Sequence, residues 1–446
     1  MKSKVLRQLA QTLGTSGLSM LFSIATSIVV TRSLGPEGKG AYAVAVYAIS
    51  ILIGICQFGL PEVMLLQMRA DRRRPSELAA NSLVAVIVGT AFAAVLVWAS
   101  YPLLANTFYK GIGQPLIWLA FLMLPGSLAF LFFSRLIHLD GRLRTYNCLT
   151  ITSKGLSFAA ILLCFRVHPG EPGAAILGLA IAQGLVAVPA ILLVRSYVAS
   201  RAWRIDLALL GESLRGGFKI QWGMLAHLID QYLGIFILNY FLGLQSVGWF
   251  STALGLVTFV LLLSEAIRTV LQAWMPNAVN IPEQVAERTA VFARHTIILL
   301  CLASFLLFIF GLPLIRLMYG IEFEPSYAPM VILLVGVIAR GVGQIVASHL
   351  SFAGHLSFSS VAAVLGLASH ICLAWIFVPI LGMWGAALAS TAGYLVHTLF
   401  LIYWFLQKNG LPLGVLLPRA SDGRLYISVI RSGILQITEH RHTQIT

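Results

Sequence analysis

The stretch Thr12 to Thr31, TLGTSGLSMLFSIATSIVVT, runs for twenty residues without one ionisable side chain. About 20 mostly apolar residues are what an α-helix needs to cross the hydrocarbon of a bilayer, so this segment predicts a spanning helix. Lys2, Lys4 and Arg7 precede it, as in a secretory leader. Its length, and its match to a later part of the chain, instead predict a first helix that stays in the mature protein.

The same pattern recurs along the chain. Of the 446 residues 59% are hydrophobic and only 10% charged, against roughly 25% charged in a soluble domain; the bilayer is therefore the main solvent. Apolar runs between charge and Gly/Pro punctuation predict helices near 12–31, 41–60, 79–101, 115–134, 147–166 and 174–194, then near 220–242, 248–270, 295–313, 328–349, 358–378 and 385–406. The expected fold is all-α, a polytopic membrane protein of about twelve transmembrane helices.

The net charge of +14 suggests nucleic acid only if the basic residues share one soluble face. They lie instead in short gaps between apolar runs, so no nucleic-acid partner is expected. With the N-terminus inside, cytoplasmic gaps hold about eighteen Lys and Arg, including Arg69, Arg72 to Arg74, Arg135, Arg142, Arg201, Arg268, Arg288 and Arg294. The other side holds about five: Arg32, Lys39, Lys110, Arg166 and Arg316. That asymmetry places both termini in the cytoplasm. The five cysteines, Cys56, Cys148, Cys164, Cys301 and Cys372, lie in or beside apolar runs without CxxC spacing and read as small apolar residues.

The longest interior gap, roughly 195–219, divides the chain into halves that echo each other. Leu34-Gly35 with Gly40 recurs as Leu242-Gly243 with Gly248; Pro102-Leu103 as Pro313-Leu314; Gly141-Arg142-Leu143 as Gly354-His355-Leu356; Gly173-Ala174-Ala175 as Gly385-Ala386-Ala387. The offsets stay between 208 and 213. Both copies begin on the same side, which predicts a parallel repeat about an axis along the membrane normal: a six-helix bundle over 1–210, a second over 211–407, and a cytoplasmic tail over 408–446. The tail alternates weakly over 425–437 but is too short to span.

After the first span comes Thr31-Arg32-Ser33-Leu34-Gly35-Pro36-Glu37-Gly38-Lys39-Gly40-Ala41-Tyr42, and later Leu312-Pro313-Leu314-Ile315-Arg316-Leu317-Met318-Tyr319-Gly320 with Glu322-Phe323. These segments resemble the polysaccharide flippases, the O-antigen and exopolysaccharide exporters of the multidrug, oligosaccharidyl-lipid and polysaccharide exporter superfamily. By its own chemistry the first motif is a tight hairpin: Gly35 ends a helix, Pro36 suits the next first turn, and Glu37 complements its dipole. The resemblance implies a bacterial inner-membrane flippase, not an enzyme. It would move an undecaprenyl-pyrophosphate-linked oligosaccharide to the outer leaflet by rocking of the two bundles, alongside other polysaccharide-assembly proteins. The tail has no counterpart in that family.

Such a cargo joins an anionic pyrophosphate and a polar glycan to a long apolar tail, so its head needs a cationic, hydrated path. Ionisable residues deep in spans are few, and each costs roughly 2.5–3.5 kcal/mol even on the lenient insertion scale. Arg340 and Lys154 are the candidates for phosphate binding, Arg340 by two parallel hydrogen bonds and Lys154 as a point charge; both could equally be paired within the bundle, and Lys154, two turns from the inner end, could snorkel. Asp230 and His227, three apart, share a helix face and are candidates for a coupling H+ or Na+; the plainer reading is a salt bridge from Asp230 to Arg340 or Lys154. Glu265 is a third ion-coupling candidate, though Glu265 and Arg268 most simply neutralise each other. His370 and His397 read as histidines satisfied by neighbours. Pro61, Pro125 and Pro189 are candidate hinges, and Gly382 to Gly385 suit close helix packing. No metal cluster, phosphate-binding loop or hydrolase motif stands out, so no cofactor is expected.

Three rival functions follow. A drug or cation exporter of the same superfamily needs an anionic or aromatic cavity, which Asp230 and Glu265 allow and Arg340 and Lys154 oppose. A lipid II flippase is a closer rival, one whose group has more spans. A membrane glycan polymerase or ligase needs a large outward loop, and every outward gap here is about a dozen residues or fewer.

Overall fold

The computed structural model describes residues 2–70, 75–198, 204–275, 282–419 and 422. Arg72 to Arg74, Arg201 and the alternating 425–437 segment lie outside them.

Gly35 decides the helix count. A single α-helix, α1 (Lys2–Cys56), continues through it except at Gly35 itself, where φ is 64° and ψ 179°. Only glycine adopts that conformation without strain, and Pro36 then starts the next turn without a missing donor. The apolar part, Gly14–Cys56, is 43 residues; as one rod it would be about 65 Å long, twice the hydrocarbon thickness. Folded at Gly35 it makes two crossings. The second begins at Pro36, five residues before the expected boundary. The eleven helices that are long and apolar enough to span, among the described residues, thus give the twelve expected crossings.

The near face is defined here as the side on which α1 starts. From Cys56 the chain turns there into the short α2 (Leu60–Ala70), then runs through α3 (Pro75–Leu104), α4 (Gln114–Phe121), α5 (Met123–Leu139), α6 (Leu143–Val167) and α7 (Pro172–Val198). The second bundle is α8 (Leu207–Leu242), α9 (Leu244–Trp274), α10 (Pro282–Met318), α11 (Tyr327–Phe352), α12 (Leu356–Leu381) and α13 (Met383–Asn409). A 3-10 turn, Ile321–Ser326, joins α10 to α11. The expected helix at 115–134 is broken at Leu122 into α4 and α5; Pro125 has no N–H for the carbonyl four residues back, at Phe121, which frees that bond. The expected start of α6 at 147 is too late: α6 starts at Leu143. Lys154 is therefore eleven residues, about 16 Å, from the near end, which puts it at mid-membrane rather than two turns in.

The repeat is visible in the backbone. Gly35 and Gly243 share φ of 64° and 82°, Gly111 and Gly320 79° and 105°, Gly141 and Gly354 83° and 84°, Gly170 and Gly382 75° and 60°. Equivalent turns carry glycine because positive φ strains side chains with a Cβ.

The second arm of α1 crosses α9 at the far face in a two-fold manner. A Cβ on Gly40 would lie 1.9 Å from the carbonyl oxygen of Leu244, and one on Gly248 would lie 1.8 Å from that of Pro36. Backbone meets backbone, as small-residue helix crossings in membranes do. The far seam is closed further by Arg32, whose guanidinium donates from Nε to Met318 O at 2.8 Å and from Nη2 to Leu317 O, at the C-terminal end of α10. Asn239 of α8 donates to Phe108 O at 2.9 Å and Lys110 O at 3.0 Å on the other bundle.

The tail is partly built. After Asn409 the chain forms a short 3-10 turn, Leu413–Val415, and buries Leu416 beside Phe405, Leu350 and Ala290. Arg294 of α10 holds it, with Nε 2.9 Å from one carboxylate oxygen of Asp422 and Nη1 donating to Val415 O at 3.0 Å.

Candidate functional site

Two adjoining cavities, about 760 and 200 Å³, lead from the near ends of α9, α11 and α12 towards mid-membrane and share His227, Glu265 and Gln344 in their walls. Nearly all the lining comes from the C-terminal bundle, with Glu62 of α2 the contribution of the other one to the larger cavity. The smaller cavity ends on Arg340.

Arg340 is held deep by glycines. Gly336, Gly341 and Gly343 punctuate α11; a Cβ at Gly336 would meet Thr391 Cα at 2.9 Å, one at Gly341 would meet Leu300 Cδ1 at 2.3 Å, and one at Gly343 would meet Thr398 Oγ1 at 2.6 Å. The helix therefore sits hard against α9, α10 and α13. Thr391 and Thr398 reinforce the contact by donating to Ile332 O and Ala339 O. Arg340 is 5% exposed. Its Nη2 donates to His227 Nε2 at 2.8 Å and Gln231 Oε1 at 3.2 Å, and its guanidinium carbon lies 4.8 Å from the ring centre of Tyr394. Its Nε is buried with no partner among the described residues, and no carboxylate among them forms an ion pair with it. A buried cation balanced only by neutral groups and a ring face puts a positive charge without a counter-ion among the described residues at the inner end of the cavity.

Asp230 does not meet Arg340 or Lys154. Although His227 and Asp230 are three apart, α8 turns them to different partners: His227 to Arg340, and Asp230 to His370, with Oδ1 2.8 Å from Nδ1. Behind the ring, Ser390 Oγ lies 3.0 Å from His370 Nε2 and donates its one hydrogen to Ala386 O at 2.9 Å. Ser390 must then accept from Nε2, which therefore carries a proton. One further proton lies between Asp230 Oδ1 and His370 Nδ1, whichever of the two holds it. The helices can close around this triad because Gly366 and Gly393 face each other, a Cβ on either falling 3.0 Å from the other's carbonyl oxygen.

Glu265 pairs with Arg268, Nε to Oε2 at 2.8 Å, and both line the larger cavity. Glu62 is 3.4 Å from Arg135. His397 also lines that cavity, its ring centre 6.1 Å from that of His227. Lys154 stands apart: it is exposed on α6, with no hydrogen bond or ion pair among the described residues, and lines neither cavity. Sequence reading took His370 as satisfied by neighbours, as it is, without naming Asp230 as its partner; it did not name Gln231 or Tyr394 beside Arg340, and took Arg32 only as part of a hairpin. A histidine at mid-span in a chain with so few buried ionisable groups was the available signal for His370.

Residues 5–281 match the family model described as polysaccharide biosynthesis protein. The chain belongs to the polysaccharide biosynthesis protein family. Among solved structures, this family member is similar to a lipid II flippase, MurJ, in an inward closed conformation, with TM-score 0.72 and 15% identity over 90% of this chain and 88% of that one. It is also similar to an inward-facing multidrug resistance MATE transporter of the MOP superfamily, with TM-score 0.69 and 15% identity over 88% and 94% of the two chains. A MOP superfamily transporter from Pyrococcus furiosus matches with TM-score 0.63 and 15% identity over 92% and 96%. At these identities the likeness is one of fold. No curated protein matches the chain.

Proposed function

We propose that this protein is a flippase that carries an undecaprenyl-pyrophosphate-linked oligosaccharide repeat unit across the bacterial inner membrane, for O-antigen, capsule or exopolysaccharide assembly. The observation that carries the reading is Arg340: a cation at mid-membrane, in the wall of a cavity, with a free Nε and no counter-ion among the described residues. A pyrophosphate supplies the missing charge and acceptors, and a guanidinium grips phosphate oxygens through parallel bonds. Lys154, exposed at the same depth of the other bundle, is the second cation that the head group meets as the bundles rock. The near face is the cytoplasmic one on the distribution of Lys and Arg, so cargo enters where the cavity begins.

No bond is made or broken; work comes from an ion gradient. Asp230 and His370 hold one shared proton in a buried pair that joins α8 to α12, so losing it leaves an uncompensated charge that must be rehydrated, which costs several kcal/mol. That penalty is a physical means of linking proton release to bundle movement. His227 and Glu265 sit closer to the cargo and sense it.

The test is protein-dependent translocation of undecaprenyl-linked repeat units in proteoliposomes. Failure with every native oligosaccharide offered overturns the reading. Translocation of lipid II alone, or broad drug resistance in a pump-deficient host, would favour the superfamily alternatives. The drug-exporter alternative draws on Glu62 and Glu265 in the cavity, but each already has an arginine partner.

A further inference from the structure

We infer that the near half of the cavity is a sugar subsite for a neutral glycan, so that the cargo's head group is charged at its phosphate and nowhere else. This rests on the flippase reading and specifies its substrate class.

The wall below Arg340 is mostly apolar, from residues such as Met224, Leu356 and Ala363, and set into it are the hydroxyls of Ser357, Ser359 and Ser360 and the amides of Gln272 and Gln344. Several serine hydroxyls elsewhere in the spans satisfy themselves on the carbonyl four residues back, as Ser50 does on Val46 O and Ser157 on Ser153 O, although Ser304 on α10 is buried without a partner among the described residues. Of the cavity serines, Ser348 does the same on Gln344 O at 2.9 Å, whereas Ser359 does not. Ser357 lies in the first turn of α12, which begins at Leu356, so the helix offers it no such carbonyl. Ser359 Oγ is buried with no partner among the described residues, the same condition as Arg340 Nε. Each free hydroxyl can both donate and accept, which is what a sugar hydroxyl needs from its neighbours. Two orphaned polar groups at either end of one connected cavity call for a ligand with phosphate at one end and hydroxyls at the other.

The charges around this wall exclude an acidic sugar. Arg268 is held by Glu265, and the Glu62 carboxylate is matched by Arg135. Both carboxylates remain accessible, with side chains 43% and 38% exposed. A uronic acid lying here would meet two carboxylates and, among the described residues, no unpaired cation other than Arg340, which the phosphate takes. Gly223 sets the floor, where a Cβ would stand 2.5 Å from Ser360 Oγ.

The experiment compares three polyprenyl pyrophosphates in proteoliposomes: one bare, one with a neutral oligosaccharide, and one with a uronic acid in the same-sized oligosaccharide. The wild type should move the neutral glycan at least about tenfold faster than the acidic one. Ser357→Ala with Ser360→Ala should lower the ratio of neutral to bare cargo by about the same factor. Ser357→Lys, which adds a cation to the wall, should shift preference towards the acidic glycan. Equal transport of acidic and neutral glycans by the wild type overturns the subsite while leaving the flippase intact. Movement of none of the three overturns both.

Discussion

Arg340 donates to His227 across 2.8 Å, tying the middle of α11 to the middle of α8. A guanidinium has no acceptor, so Nε2 of His227 must carry the lone pair and the imidazole must be neutral while this bond holds. The tie is weak by design of its chemistry, since a neutral acceptor competes poorly with phosphate oxygens. Cargo can therefore take Arg340 from His227 without first breaking an ion pair. Arg340→Ala should abolish polysaccharide export in cells that contain the variant at normal level, and Arg340→Lys should keep part of it, because the charge stays while the fork is lost. Lys154→Ala should leave an intermediate activity. Unchanged polysaccharide output from the Arg340 alanine variant removes that residue from the site.

Asp230, His370 and Ser390 give a second expectation. Asp230→Asn cannot hold the shared proton but can still hydrogen-bond to His370, so packing should survive while coupling is lost. Export driven by a proton gradient should fall by an order of magnitude or more, while cargo binding measured without a gradient stays within about twofold. His370→Gln should behave alike. If both variants transport at the wild-type rate under an imposed gradient, the pair is structural. Removing hydrogen bonding altogether, as in His370→Ala, leaves Asp230 buried and unpaired, a loss of about 3–5 kcal/mol, and should show as poor expression.

At the far face the crossing of Gly40 on Leu244 and Gly248 on Pro36 predicts that alanine at either position forces α1 and α9 apart, since the added methyl would fall within 2 Å of a backbone oxygen. Overpacking of this kind costs about 1–3 kcal/mol, charged against the state in which the far seam is closed. Arg32→Ala removes two bonds from the same seam. Cysteines placed near Gly40 should label faster from the outer side in all three variants, with the two alanines at the crossing having the larger effect. Labelling rates equal to the parent's would mean that the crossing is no gate.

The crossing also shows what the sequence could and could not convey. The glycine pairs at offsets of 208 to 213 were legible because a left-handed turn leaves a residue-type mark, and Gly35 and Gly243 carry it. Helix number was legible because apolar length is imposed by the bilayer. Helix ends were less so: Leu143 and Pro36 extend their helices past the last apolar residue, where polar groups at the membrane surface continue the same backbone bonds. The partner of Asp230 was not legible. Residues three apart on α8 differ by about 60° in direction, enough at a crossing with α11 and α12 to send His227 one way and Asp230 the other. That choice depends on the rotation of three helices set by Gly336, Gly366 and Gly393, not on any local pattern.

Arg294 and Asp422 carry the last prediction, which concerns the tail. The pair joins α10 to a segment more than a hundred residues later, in which Asp422 lies past the last span, and Leu416 is buried beside it. Burial raises the Asp422 carboxyl, but the backbone N–H of Arg419 and the guanidinium of Arg294 outweigh it and hold the group below the ordinary aspartate value of 3.8. A carboxyl with a depressed folded value stabilises the docked form at neutral pH. That contribution is complete above the ordinary aspartate range and is lost as pH falls through the lower, docked value. The tail should therefore stay docked from neutral pH down to about pH 4 and release only in stronger acid. Asp422→Asn should release it at neutral pH. Amide hydrogen exchange over residues 411–419 should then rise about tenfold or more in the variant, with the spans unchanged. Equal protection of that segment in the variant and the parent would show that Leu416 and its neighbours hold the tail without the ion pair.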